Sequence, residues 1–145
     1  RPYLGVMDAD LSHDPQILNE LILSLKDNDV TLGSRFMNGS VVEYWICWRK
    51  IISSIGVWMA KLLTGVRDPL SGYFFIRRSV VDGVALNTVG YKILMEILVK
   101  GKWSCFKEIS YKFRIRKFST SKLNSKEYWF FLKQILEYSW YKLTH

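Results

Sequence analysis

The sequence predicts an α/β fold, in which a sheet is flanked by helices. Three short apolar segments of strand length, residues 3–7, 30–32 and 73–76, alternate with longer segments whose apolar residues have helical spacing. Asp14-Pro15 lies between the first two of these strands and has the form of a helix N-cap followed by proline at the first helical position. This alternation is typical of a sheet whose strands are joined by crossover helices.

The first strand, residues 3–7, ends abruptly in Asp8-Ala9-Asp10, and we interpret it as a buried parallel strand that delivers carboxylates at its carboxyl end. A buried parallel strand needs neighbours on both sides, yet only Arg1 and Pro2 precede this one. We therefore expect the chain to be a fragment whose earlier strands are missing, or a partner to supply them.

The next elements follow from apolar spacing as well. Apolar residues at helical spacing over 17–25 predict a helix, and residues 30–32 predict a strand followed by a Gly-Ser-Arg loop at 33–35. Residues 41–63 are apolar on most of a helical surface, and tryptophans stand beside lysine and arginine there. This pattern is typical of a helix that lies in the plane of a membrane interface.

The second half of the chain predicts a turn at 68–72, a strand at 73–76 and two short helices at 80–86 and 91–99. Apolar and polar residues then alternate over 109–115, with lysine and arginine among the polar ones. The alternation predicts a half-exposed strand with a basic outer face.

A final helix is predicted from residue 124 to about residue 143, because Asn124 and Glu127 have the spacing of a capping box. Its many aromatic residues suit packing on the sheet and also suit a helix that leads toward a membrane-spanning segment. We divide the chain into one domain over 1–123 and an amphipathic, aromatic-rich C-terminal helix over 124–145.

Charge is distributed unevenly along the 145 residues. Residues 1–99 hold ten Lys or Arg and ten Asp or Glu, whereas residues 100–145 hold eleven and three, so the last third carries the net charge of +8. Such a basic end suits a phosphate-rich partner: nucleic acid, an anionic membrane surface or a phosphorylated substrate.

Cys47 and Cys105 are far apart in sequence, which predicts two buried, reduced thiols in a cytosol-facing protein. We expect no signal peptide and no membrane-spanning segment, since charges interrupt every apolar stretch before it reaches roughly 18 residues.

The Asp8-Ala9-Asp10 motif is the first candidate for chemistry. Two carboxylates at the carboxyl end of a strand can share a Mg²⁺ or Mn²⁺ that also grips a diphosphate. Such a metal neutralises a departing nucleoside diphosphate, as sugar transfer requires. Alone, the motif more often belongs to a solvated loop or an N-cap cluster. It is also compatible with a phosphatase in which Asp8 is the nucleophile and Asp10 the acid, and with a non-catalytic basic module that binds membrane or nucleic acid.

The residues around this motif narrow the choice. The segment Met7-Asp8-Ala9-Asp10-Leu11-Ser12-His13-Asp14-Pro15 closely resembles a segment of the dolichol-phosphate mannosyltransferases, within family 2 of the inverting glycosyltransferases. The resemblance continues in collinear blocks over nearly the whole chain. These blocks are Gly33-Ser34-Arg35-Phe36, Arg49-Lys50-Ile51-Ile52-Ser53, Asp68-Pro69-Leu70-Ser71-Gly72, Gly90-Tyr91 with Met95-Glu96, and Arg116 followed by Ser121-Lys122-Leu123.

The resemblance implies a GT-A type fold, a Rossmann-like mixed sheet flanked by helices, of which the N-terminal strands are missing here. It implies that Mg²⁺ or Mn²⁺ is held by Asp8, Asp10 and Ser12. The substrate-binding residues that it implies carry charge or hydroxyl groups suited to phosphate: Asp8, Asp10, Arg35, Arg49, Ser53, Arg116 and Lys122. Of these, Asp10, Arg35 and Arg49 are the expected catalytic residues.

The implied activity is mannosyl transfer from GDP-mannose to dolichyl (polyprenyl) phosphate, with a UDP-glucose-dependent transferase or a non-catalytic membrane-binding derivative as alternatives. A phosphate monoester with a second pKa of about 6 is already an adequate nucleophile at neutral pH. No general base is then needed, and we expect His13 to be structural or a hydrogen-bond partner within its loop. The expected partners are a nucleotide-sugar donor, the lipid phosphate, the cytoplasmic face of a membrane and a membrane-anchoring subunit or segment, but no nucleic acid.

Overall fold

The structure, a computed structural model, describes residues 2–38, 41–42, 47–87, 92–114 and 125–144, without the side chains of 41–42, 47–54 and 125–128. These residues form an α/β fold around a mixed sheet, as predicted. Its elements in chain order are β1 (Tyr3–Val6), α1 (Leu18–Ser24), β2 (Val30–Ser34), β3 (Val41–Val42), α2 (Cys47–Thr64), β4 (Phe74–Arg77), α3 (Ile93–Lys100), β5 (Phe106–Ser110), β6 (Lys112–Phe113) and α4 (Ser125–Thr144).

The main sheet has four strands in the order β1-β4-β2-β5, and β3 pairs with β6 in a small parallel ladder. Strand β4 runs antiparallel to both β1 and β2, while β5 runs parallel to β2. Strands β1, β2 and β5 therefore point the same way, and their carboxyl ends meet at one edge of the sheet. This edge is where α/β sheets bind ligands.

Two helices cover the two faces of this sheet. On one face, Leu94, Ile97 and Leu98 of α3 pack on the apolar side chains of β2 and β4. On the other, Leu21 of α1 packs with Tyr73 and with the residues at the end of β5. The burial of both faces explains why all five residues of β2 are buried, without the alternation of a half-exposed strand.

Strand β1 differs from the prediction of a buried parallel strand. All four of its residues are exposed, and the strand that pairs with it among the described residues is β4, antiparallel, on one side. It lies at the edge of the sheet because β4, which comes later in the chain, inserts between β1 and β2. Apolar composition predicted the strand but not its position, and the expectation that earlier strands are missing stays a prediction.

The start of α1 matches its prediction. The Asp14 side chain accepts a hydrogen bond from the Gln16 amide at 3.1 Å, and Pro15 opens a short 3-10 turn that leads into the helix. This is the expected chemistry of an N-cap followed by proline, since proline has no amide hydrogen to leave unsatisfied.

Several other elements begin or end at residues that differ from the predicted ones. The helix predicted over 41–63 is α2, which begins only at Cys47, and the first two residues form β3. The strand predicted at 30–32 extends to Ser34, so two residues of the predicted loop belong to β2. The helix predicted over 80–86 is wrong: a 3-10 turn, Arg78–Val80, is followed by a turn in which Gly83 has φ of 74°. A left-handed residue ends a right-handed helix.

The alternating segment 109–115 is split into β5 and β6, and β5 begins three residues before the predicted start. Its alternation is confirmed over the described residues, because Ile109 and Tyr111 are buried while Lys112 and Arg114 are exposed. The break falls at Tyr111, whose side chain turns into the candidate site described below.

Asp29 ties the starts of β2 and β5 together. Its carboxylate accepts hydrogen bonds from the backbone amides of Ser104 at 2.9 Å and Cys105 at 3.2 Å. These bonds, with that from Ser104 the strongest, lower the pKa of Asp29. Cys105 is exposed here, contrary to the predicted buried thiol, and the side chain of Cys47 lies outside the description.

Helix α4 packs on the rest of the fold. Phe131, Ile135 and Tyr138 form a buried cluster with Ala60 of α2 and Met95 of α3. Among the helices that the structure describes, none combines the length and the apolar composition needed to cross a bilayer. The described residues of α4 thus pack on α2 and α3, where the prediction had placed them on the sheet, and the alternative that the helix leads toward a membrane-spanning segment stays a prediction.

We expect Phe131→Ala to lower the free energy of unfolding by about 3–5 kcal/mol, since it empties a buried aromatic site. The matched control is Phe130→Ala, because Phe130 is 58% exposed whereas Phe131 is 7% exposed. Urea unfolding followed by tryptophan fluorescence measures both. Equal destabilisation by the two variants would contradict the docking of α4 on α2 and α3.

Candidate active site

The candidate site lies at the edge of the sheet where the carboxyl ends of β1, β2 and β5 meet. Asp8 follows β1, Arg35 follows β2, and Tyr111 follows β5. The start of β4 reaches the same edge, since Gly33 donates its backbone N–H to the Tyr73 carbonyl at 2.9 Å. The structure therefore brings together residues that are more than 100 positions apart in the chain.

Asp8 is held between two neighbours. Its Oδ2 lies 3.4 Å from Nε2 of His13, and its side chain is 47% exposed. On the other side a Cβ at Gly72 would lie 2.8 Å from the same oxygen, closer than such contacts occur. The absence of a side chain at Gly72 is what makes room for the carboxylate.

The Asp10 carboxylate is oriented from within its own loop. Its Oδ1 accepts hydrogen bonds from the Ser12 amide at 3.0 Å and from the Ser12 hydroxyl. Leu11 between them has φ of 61°, a left-handed conformation that costs a non-glycine residue about 1 kcal/mol or more. The loop thus adopts a strained backbone that turns Ser12, which is fully buried, back onto Asp10.

Asp8 and Asp10 suit a metal ion if the substrate and water supply its other ligands. Among the residues that the structure describes, no three His, Cys, Asp or Glu side chains are arranged to hold a metal ion. Mg²⁺ does not need such a cage, because it is usually bound through one or two carboxylates together with substrate phosphates and water. Asp8 and Asp10 offer two carboxylates of this kind, and the metal that they share stays a prediction. The hydroxyl of Ser12 is engaged with Asp10, so its predicted role as a ligand stays a prediction.

Arg35 and Asp68 form a buried ion pair beside this loop. Nε and Nη2 of Arg35 donate to the two Asp68 oxygens, both at 2.8 Å, and the Arg35 amide donates to Oδ2 at 3.0 Å. The side chain of Asp68 is fully buried and that of Arg35 is 14% exposed. Burial acts to lower the pKa of Arg35, but hydrogen bonding and the charge of Asp68 outweigh it, so the pKa is raised.

The pair is braced by its neighbours. The backbone amides of Arg67 and Asp68 donate to the two oxygens of Glu108 on β5, at 3.2 and 3.1 Å. The Arg35 guanidinium lies 5.5 Å from the centre of the Phe113 ring, a cation–π distance. Several elements thus hold Arg35 in place. Its Nη1 takes no part in the bidentate contact with Asp68.

The segment 68–72 connects this pair to Asp8. Asp68 holds Arg35, and Gly72 lies against Asp8. Between them, the Ser71 hydroxyl donates to the Gly33 carbonyl at 2.7 Å and accepts from the Tyr73 amide at 3.2 Å. One short turn therefore sets the spacing between the predicted metal ligand and the predicted phosphate-binding arginine.

The remaining predicted residues are described in part or not at all. Arg49 and Ser53 lie on α2, but their side chains are outside the description, as are Arg116 and Lys122 altogether. Several contributors were not predicted as site residues: Asp68, Gly72, His13 and Tyr111. Asp68 and Gly72 belonged to a block of the resemblance. That block indicated that they matter but did not say what either residue does. Tyr111 appeared only as one residue of an alternating strand.

An open groove of about 420 Å³ includes Phe36 and Arg67, the sequence neighbours of Arg35 and Asp68, in its lining. It is lined by Phe36, Val57, Trp58, Lys61 and Arg67. Two cationic and two aromatic side chains around one groove suit an amphiphile with an anionic head group.

We expect Asp68→Asn to lower the free energy of unfolding by about 3 kcal/mol or more, because it leaves the buried Arg35 without a countercharge. Asp82→Asn is the control, since it breaks an exposed Arg78–Asp82 pair and should cost below about 1 kcal/mol. Urea midpoints at constant ionic strength compare the two. A loss at Asp68 no larger than that at Asp82 would contradict the role given to the buried pair.

Comparisons with known proteins bear on what this site does. No protein-family model matches the chain. It is 42% identical over 135 residues to a dolichol-phosphate mannosyltransferase of Pyrococcus furiosus, covering 90% of this chain and 38% of that protein. It is 34% identical over 144 residues to that of Saccharomyces cerevisiae, covering 93% of this chain and 54% of that protein. For a relative of the same name in Mycosarcoma maydis the values are 36%, 90% and 47%.

The chain thus spans about half the length, or less, of the curated relatives that it matches. Within that span the identity is not confined to one motif, since it extends over nine-tenths of the chain or more. The resemblance seen in the sequence is therefore confirmed: along nearly its whole length, this chain is homologous to the dolichol-phosphate mannosyltransferases.

Proposed function

We propose that the protein carrying this chain transfers a mannosyl residue from GDP-mannose to dolichyl (polyprenyl) phosphate, and that this chain supplies its metal-binding and acceptor side. The observation that carries the proposal is the meeting of Asp8, Asp10 and Arg35 at the ligand-binding edge of the sheet. The names of the relatives, which include a polyprenol monophosphomannose synthase 34% identical over 89 residues, support mannosyl transfer to a polyprenyl phosphate. The mixed sheet supports the GT-A type fold that such enzymes use.

In this proposal Asp8 and Asp10 hold Mg²⁺ or Mn²⁺ together with the donor diphosphate. When bound, the metal would offset the negative charge that grows on the departing nucleoside diphosphate. The chain's own contribution is orientation: Ser12 aligns Asp10, and Gly72 leaves room for Asp8. Alignment of this kind lowers the barrier because the ligands need no rearrangement as the reaction proceeds.

The acceptor phosphate enters from the groove that Lys61 and Arg67 line. An oxygen of this phosphate forms the new bond to the anomeric carbon as the bond from that carbon to the diphosphate breaks. Because a phosphate monoester is largely ionised at neutral pH, no side chain has to remove a proton from it. The chain needs only to bring two anions together, which requires cations placed between them.

Those cations come from several segments. Arg49 and Ser53 precede Val57 and Lys61 on α2 at steps of four residues, which is the spacing of one helix face. Val57 and Lys61 line the groove, so we assign Arg49 and Ser53 to the acceptor phosphate on the same face. Arg116 and Lys122 are assigned to the phosphates from the segment after β6. Arg35 contributes a cation whose orientation Asp68 has already fixed.

We propose that the protein acts at a membrane surface, because the acceptor is a lipid. The cytoplasmic face of that membrane stays our prediction. Exposed apolar side chains on α2 and α4 support the location at a membrane surface. They include Ile55 (56% exposed), Trp58 (61%), Leu62 (67%), Trp129 (76%), Phe130 (58%), Leu136 (71%), Trp140 (70%) and Leu143 (82%). A membrane-anchoring subunit or segment would add a second attachment, since one amphipathic surface binds reversibly.

We expect membranes that contain the protein to transfer labelled mannose from GDP-mannose to dolichyl phosphate in the presence of Mn²⁺. Asp10→Asn should reduce transfer by about 100-fold or more, since it removes a charge that acts on the leaving group. Asp82→Asn is the matched control, because Asp82 is exposed and its carboxylate pairs, within the described part of the chain, with the exposed Arg78. The assay is run on this chain alone and on a longer polypeptide that includes it.

The same assay separates the alternatives. Transfer from UDP-glucose instead of GDP-mannose would change the donor and keep the acceptor. Binding to membranes without transfer from any sugar nucleotide would favour a non-catalytic derivative and contradict the proposal.

A further inference from the structure

We propose that Tyr111 and His13 form a hydrogen-bond chain that positions Asp8. In this chain the Tyr111 hydroxyl donates to Nδ1 of His13, and Nε2–H of His13 donates to Oδ2 of Asp8. The other carboxylate oxygen, Oδ1, is then presented to a cation. The proposal deepens the proposed function, on which it rests where it assigns Asp8 to the metal.

The distances define the chain. The Tyr111 hydroxyl lies 3.0 Å from Nδ1 of His13, and Nε2 of the same ring lies 3.4 Å from the Asp8 carboxylate. The imidazole of His13 is 3% exposed, so water competes little for either nitrogen. Both ring nitrogens therefore face a protein group, and both groups are part of the candidate site.

The direction of the chain follows from the chemistry of its ends. An ionised carboxylate only accepts hydrogen bonds, so the nitrogen that faces Asp8 has to carry a proton. A neutral imidazole has one donor nitrogen and one acceptor nitrogen, so Nδ1 then accepts from Tyr111. Burial raises the pKa of the Tyr111 hydroxyl, which keeps the proton that it donates.

The sheet itself locates both members of the chain. A Cβ at Gly33 would come within 3.0 Å of the Tyr111 ring, so the ring lies directly on the backbone of β2. The Arg114 amide donates to the Ser12 carbonyl at 3.0 Å, which joins the loop of His13 to the segment after β5. The rings of Tyr73 and Phe113 lie 5.0 and 5.8 Å from that of His13 and restrict its orientation.

Oδ2 of Asp8 lies 3.4 Å from Nε2 of His13, and a Cβ at Gly72 would come within 2.8 Å of Oδ2 and 3.2 Å of Oδ1. Because the hydrogen bond from His13 occupies Oδ2, the cation is assigned to Oδ1. His13 and Tyr111 are thus positioning residues, since they act on the ligand atoms through Asp8 and not on the substrates.

The first test uses nitrogen-15 NMR of the imidazole in the metal-free chain. The sequence has two histidines, and His145→Gln leaves His13 as the only signal. We expect Nε2 to carry the proton and Nδ1 to be an acceptor whose shift changes in Tyr111→Phe. Tyr3→Phe, at a tyrosine that is 40% exposed, is the matched control and should leave the His13 signals unchanged. A proton on Nδ1 in the parent chain, or no change in Tyr111→Phe, overturns the proposal.

The second test measures Mn²⁺ binding by calorimetry with GDP present. Loss of an outer-shell partner typically weakens metal affinity by about 10-fold to 100-fold, and we expect a loss in this range for Tyr111→Phe and His13→Leu. His13→Gln keeps an N–H donor and should recover part of the affinity. Equal affinity in His13→Leu and the parent chain overturns the proposal, as does the same loss in Tyr3→Phe.

Thermal unfolding of each variant separates loss of folding from loss of positioning. The two proposals also fail separately. If Nε2 is protonated as expected and no sugar is transferred, the proposed function fails and the hydrogen-bond chain stands. If mannose is transferred and Nδ1 carries the proton, the hydrogen-bond chain fails and the proposed function stands.

Discussion

The buried pair of Arg35 and Asp68 is the interaction on which the candidate site depends. Removing two charges from water costs several kcal/mol for each ion, and only good geometry with further hydrogen bonds repays it. Here a bidentate contact, the Arg35 amide and the bracing of the Asp68 backbone by Glu108 supply that geometry. The pair links the end of β2 to the turn before β4 and to β5. One arrangement of the backbone therefore fixes both the position of the Arg35 guanidinium and the space that Gly72 leaves for the Asp8 carboxylate.

This arrangement also explains why the loop after β1 tolerates strain. Leu11 adopts an unfavourable backbone conformation, and Ser12 is buried without apolar chemistry to favour it. The loop is held from three directions, by Gly72, by His13 and by the hydrogen bond from Arg114 to Ser12. Local strain persists where surrounding contacts over-determine the conformation, and such positions cluster at functional sites.

Much of the fold could be predicted from apolar spacing. The cap at Asp14, the strands β2 and β4 and the helices α3 and α4 all occur close to their predicted positions, because each has a local signal. The position of β1 at the sheet edge could not be predicted, since it depends on where a strand much later in the chain inserts. The failed helix at 80–86 shows the same limit at short range, because Gly83 changes the backbone there against a favourable apolar pattern.

The site was predicted less evenly. Asp8 and Asp10 were identified from their position at the end of a predicted strand and Arg35 through the resemblance, and the structure brings their segments to one edge. His13 was predicted to be a hydrogen-bond partner within its loop, and its contact with Asp8 agrees with this. Tyr111 was not predicted, because its contact with His13 joins residues 98 positions apart and leaves no pattern in one sequence. Asp68 was quoted within a motif, yet only its distance to Arg35 gives it a role.

The outer edge of β1 has a practical consequence for work with this chain. Its backbone groups face away from β4, and among the described residues no strand pairs with them. Tyr3, Leu4 and Val6 along it are 40%, 44% and 38% exposed. An apolar strand edge of this kind is a template on which a second copy can add a strand, so concentrated samples are prone to edge-to-edge self-association. Lysine introduced at Leu4 would place a charge against such pairing while leaving the ladder with β4 intact.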